Sequence, residues 1–307
     1  MPLITQRTQL AVETEGSEGT AETLVVGDMR HCLNPVWSPD TPMDDRMLVD
    51  ESLSPHALVP GLRSAKMEFD MELKGSGTAG TAPAIGEVLL GCGFKETIVG
   101  GTSVTYTPLS TGDISLTLAL YMDGLIKKMW GARGDVNFSL NVGKPGMAHF
   151  VFTGADYSVT DGAMLSPTYE TTNPPVFLSS SFSVQSYSAL VGVVEIAMNN
   201  AITLRQDANL ESGHYSAVRT KRLPTMTIDP EAVLVATHDF YGRLRAGTEA
   251  ALSITLGATP GNICTITAPK VQYKGISSDD KDGYRNFGIE CQLNRSSGDD
   301  ELSIAFT

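Results

Sequence analysis

Residues with chemical potential are present in this chain, but they do not converge. Gly75-Ser76-Gly77-Thr78-Ala79-Gly80 spells G-x-G-x-x-G between a strand-like run and a helix-like run, the setting of a dinucleotide phosphate loop. The preceding strand argues against that use. The first strand of such a unit is buried on both faces and nearly all apolar, whereas Lys66-Met67-Glu68-Phe69-Asp70-Met71-Glu72-Leu73-Lys74 alternates charged and apolar residues. No second βαβ unit follows, so the segment reads as a flexible loop and no cofactor is expected. His31, His56, His149, His214 and His238 have no partner at ligand spacing and read as surface or hydrogen-bonded core histidines. Cys32, Cys92, Cys264 and Cys291 are scattered, with no Cys-x-x-Cys. They signal neither a zinc site nor a redox pair, and read as buried reduced thiols. Arg133-Gly134-Asp135 spells an adhesion tripeptide but reads as a turn before a strand. Ser277-Ser278-Asp279-Asp280-Lys281-Asp282-Gly283 is acidic but lacks the ligand spacing and closing Glu of a calcium loop, and reads as a hairpin tip. No G-x-S-x-G, Walker A or Ser/His/Asp signature is present. The expectation is a protein with no catalytic residue, no metal and no cofactor, and therefore not an enzyme.

The elements that would position these groups occur twice. Phe138-Ser139-Leu140-Asn141-Val142-Gly143-Lys144-Pro145-Gly146 returns as Leu252-Ser253-Ile254-Thr255-Leu256-Gly257-Ala258-Thr259-Pro260-Gly261. Leu53-Ser54-Pro55-His56 followed by Met67-Glu68-Phe69-Asp70 parallels Leu210-Glu211-Ser212-Gly213-His214 followed by Met226-Thr227-Ile228-Asp229. The two Met strands lie about 159 positions apart and the Pro-Gly hairpins about 114, so the first copy holds roughly 45 extra residues. These include the glycine loop, a short helix opening at Pro83 and the 103–130 hairpin. A duplicated unit without a catalytic constellation points to a part of an assembly.

Period-two alternation makes residues 66–74 a half-buried strand, with Met67, Phe69, Met71 and Leu73 inward. Thr23-Leu24-Val25-Val26 reads as a short strand. Pro35, Pro39, Pro42, Pro55 and Pro60 make the following stretch, up to Gly61, read as a long irregular loop. A helix is expected around His238–Arg245, stopped by Gly247. The domain reading is a flexible N-terminal arm over 1–20, a first unit over 21–180 with an insertion, and a second over 181–307, with 166–181 as linker.

Composition sets the class. The chain of 307 residues is 41% apolar and 19% charged, and Thr, Ser, Val and Gly dominate over aromatics, which leans to β structure. A formal net charge of −13 argues against a protein that neutralises phosphates. It leaves room for nucleic acid as a passing cargo, since a negative wall keeps a phosphate backbone from sticking. Met1 to Thr23 is polar and acidic, and no run of about 18 apolar residues occurs. The expectation is a chain that folds in the cytoplasm.

The segment Leu73 to Pro83, followed by Leu89-Leu90, Cys92-Gly93-Phe94 and Thr102-Ser103-Val104-Thr105-Tyr106-Thr107-Pro108, resembles the major tail (tail tube) protein of siphophages. It is most similar to those of Mu-like transposable siphophages. Phe287 to Asn294, then Gly298-Asp299-Asp300-Glu301-Leu302, resembles the last strands of such subunits. The resemblance implies a mainly β chain: two tandem tail-tube-like β-sandwich or barrel domains, each with a short flanking helix. It implies stacked rings, trimeric and pseudo-sixfold, forming the tail tube of a long non-contractile tail through which DNA is ejected. Partners would be other copies of the chain, a tape measure protein, and tail terminator and distal tail proteins; no membrane is involved. The protein would reside in the virion tail after assembly in the bacterial host cytoplasm. Glu68, Asp70 and Glu72, with Thr227 and Asp229 in the second copy, are the expected lumen-facing residues. Trp37, Asp44, Asp45 and Arg46 are the expected ring-stacking residues. A secretion-system-like tube protein and, less well, a β-sandwich enzyme are the alternatives.

Overall fold

Alternation of apolar and polar residues dominates the sequence, and the chain folds accordingly: half of it is strand and one-twentieth helix. The structure, a computed structural model, describes residues 3–307. In chain order come β1 (Thr8–Thr14), β2 (Met29–Arg30), β3 (Leu33–Asp40), β4 (Met43–Asp44), β5 (Val59–Pro60) and β6 (Ser64–Glu72). Then follow helix α1 (Gly86–Gly91), β7 (Phe94–Val99), β8 (Ser103–Pro108), β9 (Leu116–Met122), β10 (Leu125–Asn141), β11 (Met147–Gly154) and β12 (Asp156–Asp161). After an extended connection come β13 (Ser181–Val184), β14 (Val193–Ala197), β15 (Ala201–Gln206), β16 (His214–Lys221) and β17 (Thr225–Ile228). Helix α2 (Phe240–Ala246), β18 (Glu249–Leu256), β19 (Cys264–Lys281), β20 (Tyr284–Asn294) and β21 (Ser303–Phe306) complete the chain.

Among the described residues all strand pairings are antiparallel, and they branch without ever returning to their start, so the sheets are open and no barrel closes. Eight strands run side by side in the order β3-β6-β11-β10-β14-β17-β20-β19. This sheet crosses from the first half of the sequence to the second at β10–β14, with Phe138 opposite Ile196.

The pairing pattern repeats. β3 lies beside β6, which lies beside β11 and then β10; β14 lies beside β17, which lies beside β20 and then β19. β1 pairs with β9 as β13 pairs with β18. The long strands β10 and β19 also match in detail. Each breaks register once against its preceding strand, between Met129 and Ala132 on β10 and opposite Ala268 and Val271 on β19. A bulge bends a strand and increases its twist, so both long strands change direction at corresponding places. The hairpins therefore correspond as β9–β10 with β18–β19, and β10–β11 with β19–β20. The sequence match between the two Pro-Gly turns is displaced by one hairpin, because a tight turn after a strand needs the same residue types wherever it occurs. The helix opening near Pro83 is not extra either. α1 corresponds to α2, and the added elements of the first half are β7 and β8.

The helices are short and end where glycine permits. Asp239 caps α2, its carboxylate accepting from the Gly242 N–H at 2.7 Å, and Gly247 closes it in the left-handed region at φ 61°. α1 buries Val88 and Leu89 against the core.

Four expectations are corrected. Residues 8–14, assigned to a flexible arm, form β1, paired along β9 with Leu10, Ala11 and Val12 fully buried; residues 1–2 of that arm lie outside the described residues. Residues 33–40, read as loop because of Pro35 and Pro39, form the edge strand β3. Proline is tolerated there because only one side of an edge strand must donate to the ladder. The glycine loop 75–80 is held rather than loose. The Gly77 N–H donates to the Gly261 carbonyl at 3.0 Å, and a Cβ on Gly75 would sit 2.1 Å from that oxygen. Its glycines allow two backbones to touch. Residues 23–26, read as a strand, form none: 23–25 are irregular and Val26 opens a single 3₁₀ turn, Val26–Asp28.

One apolar core runs through both halves, from Leu10 to Phe306. Phe69, Phe150 and Phe152 stack within it, with the Phe69–Phe150 centroids 5.5 Å apart. Cys92, Cys264 and Cys291 lie in the same core as free thiols, and Cys32 is partly buried. Burial pushes the Cys264 thiol up to about 12, and burial with the neighbouring Asp70 charge does the same for Cys32.

Replacing Phe150→Ala is expected to cost about 3–5 kcal/mol by cavity formation, read as a lower urea midpoint at unchanged slope. Leu53→Ala, at a fully exposed position, should stay within about 0.5 kcal/mol. The thiols should also resist a thiol-specific reagent at pH 8 in the native chain and react together on unfolding. Rapid stoichiometric labelling of the folded protein would contradict this packing.

Candidate functional site

Because side chains alternate across a strand, one register carries a residue's face across a whole sheet. On β6, Met67, Phe69 and Met71 point into the core, while Lys66 and Glu68 are exposed and Asp70 and Glu72 half-buried on the other face. Glu72 lies opposite Met147, Met147 opposite Ser139, Ser139 opposite Glu195, Glu195 opposite Thr227 and Thr227 opposite Glu290. The next row begins Asp70, His149, Asn137 and Ala197, and continues through Thr225, Gln292 and Gln272 to Glu249. The outward surface of the eight-stranded sheet is thus one mostly polar face, interrupted by Val36, Met147, Val151 and Ala197, and its carboxylates outnumber its bases.

Four of the five residues expected on a lumen wall share this face: Glu68, Asp70, Glu72 and Thr227. Asp70 is held from two sides. Its Oδ1 lies 2.6 Å from His149 Nδ1, and Asn34 Nδ2 donates to its Oδ2 at 2.9 Å. Lys74 Nζ sits 3.7 Å from Glu72 and 3.1 Å from Glu170. Burial of Glu170 is outweighed by hydrogen bonds from Thr172 and Lys74, which hold its carboxyl below the usual range. The fifth residue, Asp229, stands at the end of β17 and is already engaged. Its carboxylate accepts from the Gly192 and Val193 N–H groups, each at 2.7 Å, and from Lys281 Nζ at 2.9 Å. That hydrogen bond raises the Lys281 ammonium above its ordinary value. Asp229 therefore ties the start of β14 to the tip of the β19–β20 hairpin.

Glu195, Glu290, Asn137 and His149 belong to the same face and were not singled out from sequence. The signal was available in the alternation Val194-Glu195-Ile196 and Ile289-Glu290-Cys291. What was missing was the register that places these strands beside β6. Asp135 also lies on this side, opposite Val151. Burial raises its carboxyl despite the hydrogen bond accepted from the Asn200 N–H at 2.9 Å.

The four residues expected at ring contacts do not form one patch. Trp37 is part of β3 opposite Met67, half-buried, edge-on to Tyr157 at 5.4 Å and capped by Lys127 Nζ at 5.1 Å from its ring. Asp44, Asp45 and Arg46 are exposed on the arm that leaves the end of β3. Among the described residues no group of three or more His, Cys, Asp or Glu is arranged to hold a metal ion. A shallow depression of about 390 Å³ lies on the polar face between Asp70, Asn137, His149 and Glu195; in it His149 is paired with Asp70, and the Ser139 hydroxyl accepts from Asn141 Nδ2 at 3.0 Å.

An extended, mostly polar sheet face with open edges suits a wall better than a pocket. No curated protein matches the chain. A family model described as phage tail tube protein matches residues 5–298. With nearly its whole length matched, the chain belongs to the phage tail tube proteins, structural components of the virion tail.

Proposed function

We propose that this chain polymerises into stacked rings that form the tube of a long non-contractile tail, similar to those of Mu-like transposable siphophages, and that DNA leaves the capsid through the lumen. The observation that carries this reading is the single polar face on eight adjacent strands, joined to a sheet that stays open within one molecule. Two tandem units, 21–180 and 181–307, supply two quasi-equivalent wall positions, with β1 added to the first. Three chains then close a pseudo-sixfold ring. Open sheet edges are a hazard in a monomer and a resource in a ring, where each neighbour satisfies them.

The lumen wall in this reading is the polar face, with Glu68, Asp70, Glu72 and Thr227 on it and Asp229 bracing its rim. A net charge of −13 favours passage of DNA without adhesion. Asp44, Asp45 and Arg46 are available for contacts between rings, and Trp37 anchors the strand from which their arm departs. The protein is structural rather than enzymatic. Its partners are further copies of itself, a tape measure protein, and terminator and distal tail proteins, with assembly in the host cytoplasm.

Electron microscopy of the purified protein should show tubes or three-subunit rings. A protein that stays monomeric at high concentration would overturn the proposal. In a phage carrying Glu68→Gln, Asp70→Asn and Glu72→Gln together, tails should assemble and DNA ejection should slow. The slowing should shrink with added salt, since exposed charges are screened over about 8 Å at physiological ionic strength. Unchanged ejection at low salt would remove these residues from the lumen.

A further inference from the structure

The geometry points to a specific seam between subunits, and this inference rests on the ring reading above. The free half of β19, Tyr273–Lys281, receives β3 of a second copy, in the register that β14 takes against β10 within one chain.

The two long strands differ in one respect. β10 has β11 and β12 along one side, and β9 followed by β14 along the other. β14 occupies Asn137–Asn141, the stretch that β9 does not reach. β19 has β20 and β21 along one side, but on the other β18 stops at Gln272. From Tyr273 to Lys281 that side has no partner among the described residues. β3, the counterpart of β14, pairs with β6 on one side and with nothing on the other. Among the described residues several strands are open on one side, but the free stretch of β19 and the free side of β3 are the pair that corresponds to two strands joined at the chain's own centre, β10 and β14. In copies related by rotation, each free stretch of β19 takes the next copy's β3, a heterologous contact that closes into a ring.

The arms support the same partner. Between β14 and β17, the β15–β16 arm lies on the first half of its own chain. Arg219 Nη2 contacts Asp113 at 2.6 Å, His214 Nδ1 lies 2.9 Å from the Arg63 carbonyl, and Asn200 Nδ2 donates to the Cys92 carbonyl at 2.9 Å. The matching arm between β3 and β6 is held at its base, where the Arg63 N–H donates to the Ser212 carbonyl at 2.9 Å, but its tip has no such bed among the described residues. Met47, Val49 and Leu53 are 87%, 99% and 105% exposed. An apolar stretch this open marks a contact surface, and its place in the repeat assigns the second half of another copy as its cover.

The register follows from the matched bulges. Ala132 on β10 corresponds to Val271 on β19, and the extra residue at the Tyr273/Gly275 shift makes Asp279 the counterpart of Ser139. Trp37 and Ile196 each face the Met of their neighbouring strand, so Val36 corresponds to Glu195. Ser139 lies opposite Glu195 inside the chain; Val36 of one copy therefore lies opposite Asp279 of the next. Pro35 and Pro39 remove two donors from β3 but leave its carbonyls. Such an edge is poor bait for a chance strand; in the seam the bonds run to the β3 carbonyls from the N–H groups on the free side of Tyr273–Lys281, a stretch without proline.

Two measurements on the assembled full chain test the seam. Directly opposed residues of an antiparallel pair lie close enough for a disulfide. Under mild oxidation, tubes of V36C/D279C should give covalent dimers and trimers at least tenfold above V36C/S278C, whose second cysteine faces the other side of the sheet. Hydrogen exchange on the unmodified protein should show amides of 273–281 slowing at least tenfold when tubes form. If tubes form with no crosslink above the control and no added protection, the seam is wrong while the conduit stands. If the unmodified chain forms no rings or tubes, the ring reading falls and the seam with it.

Discussion

Everything in this fold turns on a single obligation: each backbone N–H and C=O in a strand must find a partner. The long strands β10 and β19 have more edge than any one neighbour can cover, so each is shared along its length. On β10, β9 takes one half of an edge and β14 the other, and this division is what joins the two halves of the sequence into one sheet. On β19 the same division begins with β18 and is left unfinished. In the proposed ring the internal join is the template for the external one, and a repeated unit extends the sheet without a second design.

The same strands generate both the stability and the surface. Alternation along β6 sends Met67, Phe69 and Met71 into the aromatic centre with Phe150 and Phe152, and sends Glu68, Asp70 and Glu72 outward. In the proposed tube the wall is the back of the core, and its charge follows from which residues fill the polar half of each pair. Neutral partners such as Asn137, Ser139 and Thr227 space the carboxylates, which moderates like-charge repulsion between adjacent strands.

Period-two segments were legible from sequence because alternation is local. β6, the polar set on it, α2 and its Gly247 stop could all be read directly. β3 was hidden by Pro35 and Pro39, which signal loops in isolation and are compatible with a strand where their missing N–H groups are not needed by the chain's own ladder, a fact of tertiary placement. β1 was hidden by its setting in a Thr- and Glu-rich terminus, although Leu10-Ala11-Val12 is its buried centre. The glycine loop was legible as glycine-rich but not as a close contact, because its partner at Gly261 is remote in sequence. The repeat was visible in its Met strands and misaligned at its hairpins, where turn chemistry imitates homology. Glu195 and Glu290 joined the polar face only through register, which no single segment encodes.

The most direct test of the account is a cryo-EM reconstruction of the assembled tube at a resolution that separates strands. The account predicts that the strand spacing of about 4.8 Å continues without a break from β19 of one subunit into β3 of the next, with Glu68 and Glu195 lining the bore. Subunits that meet through side chains alone, with the outer edge of β3 still open to solvent, would contradict it.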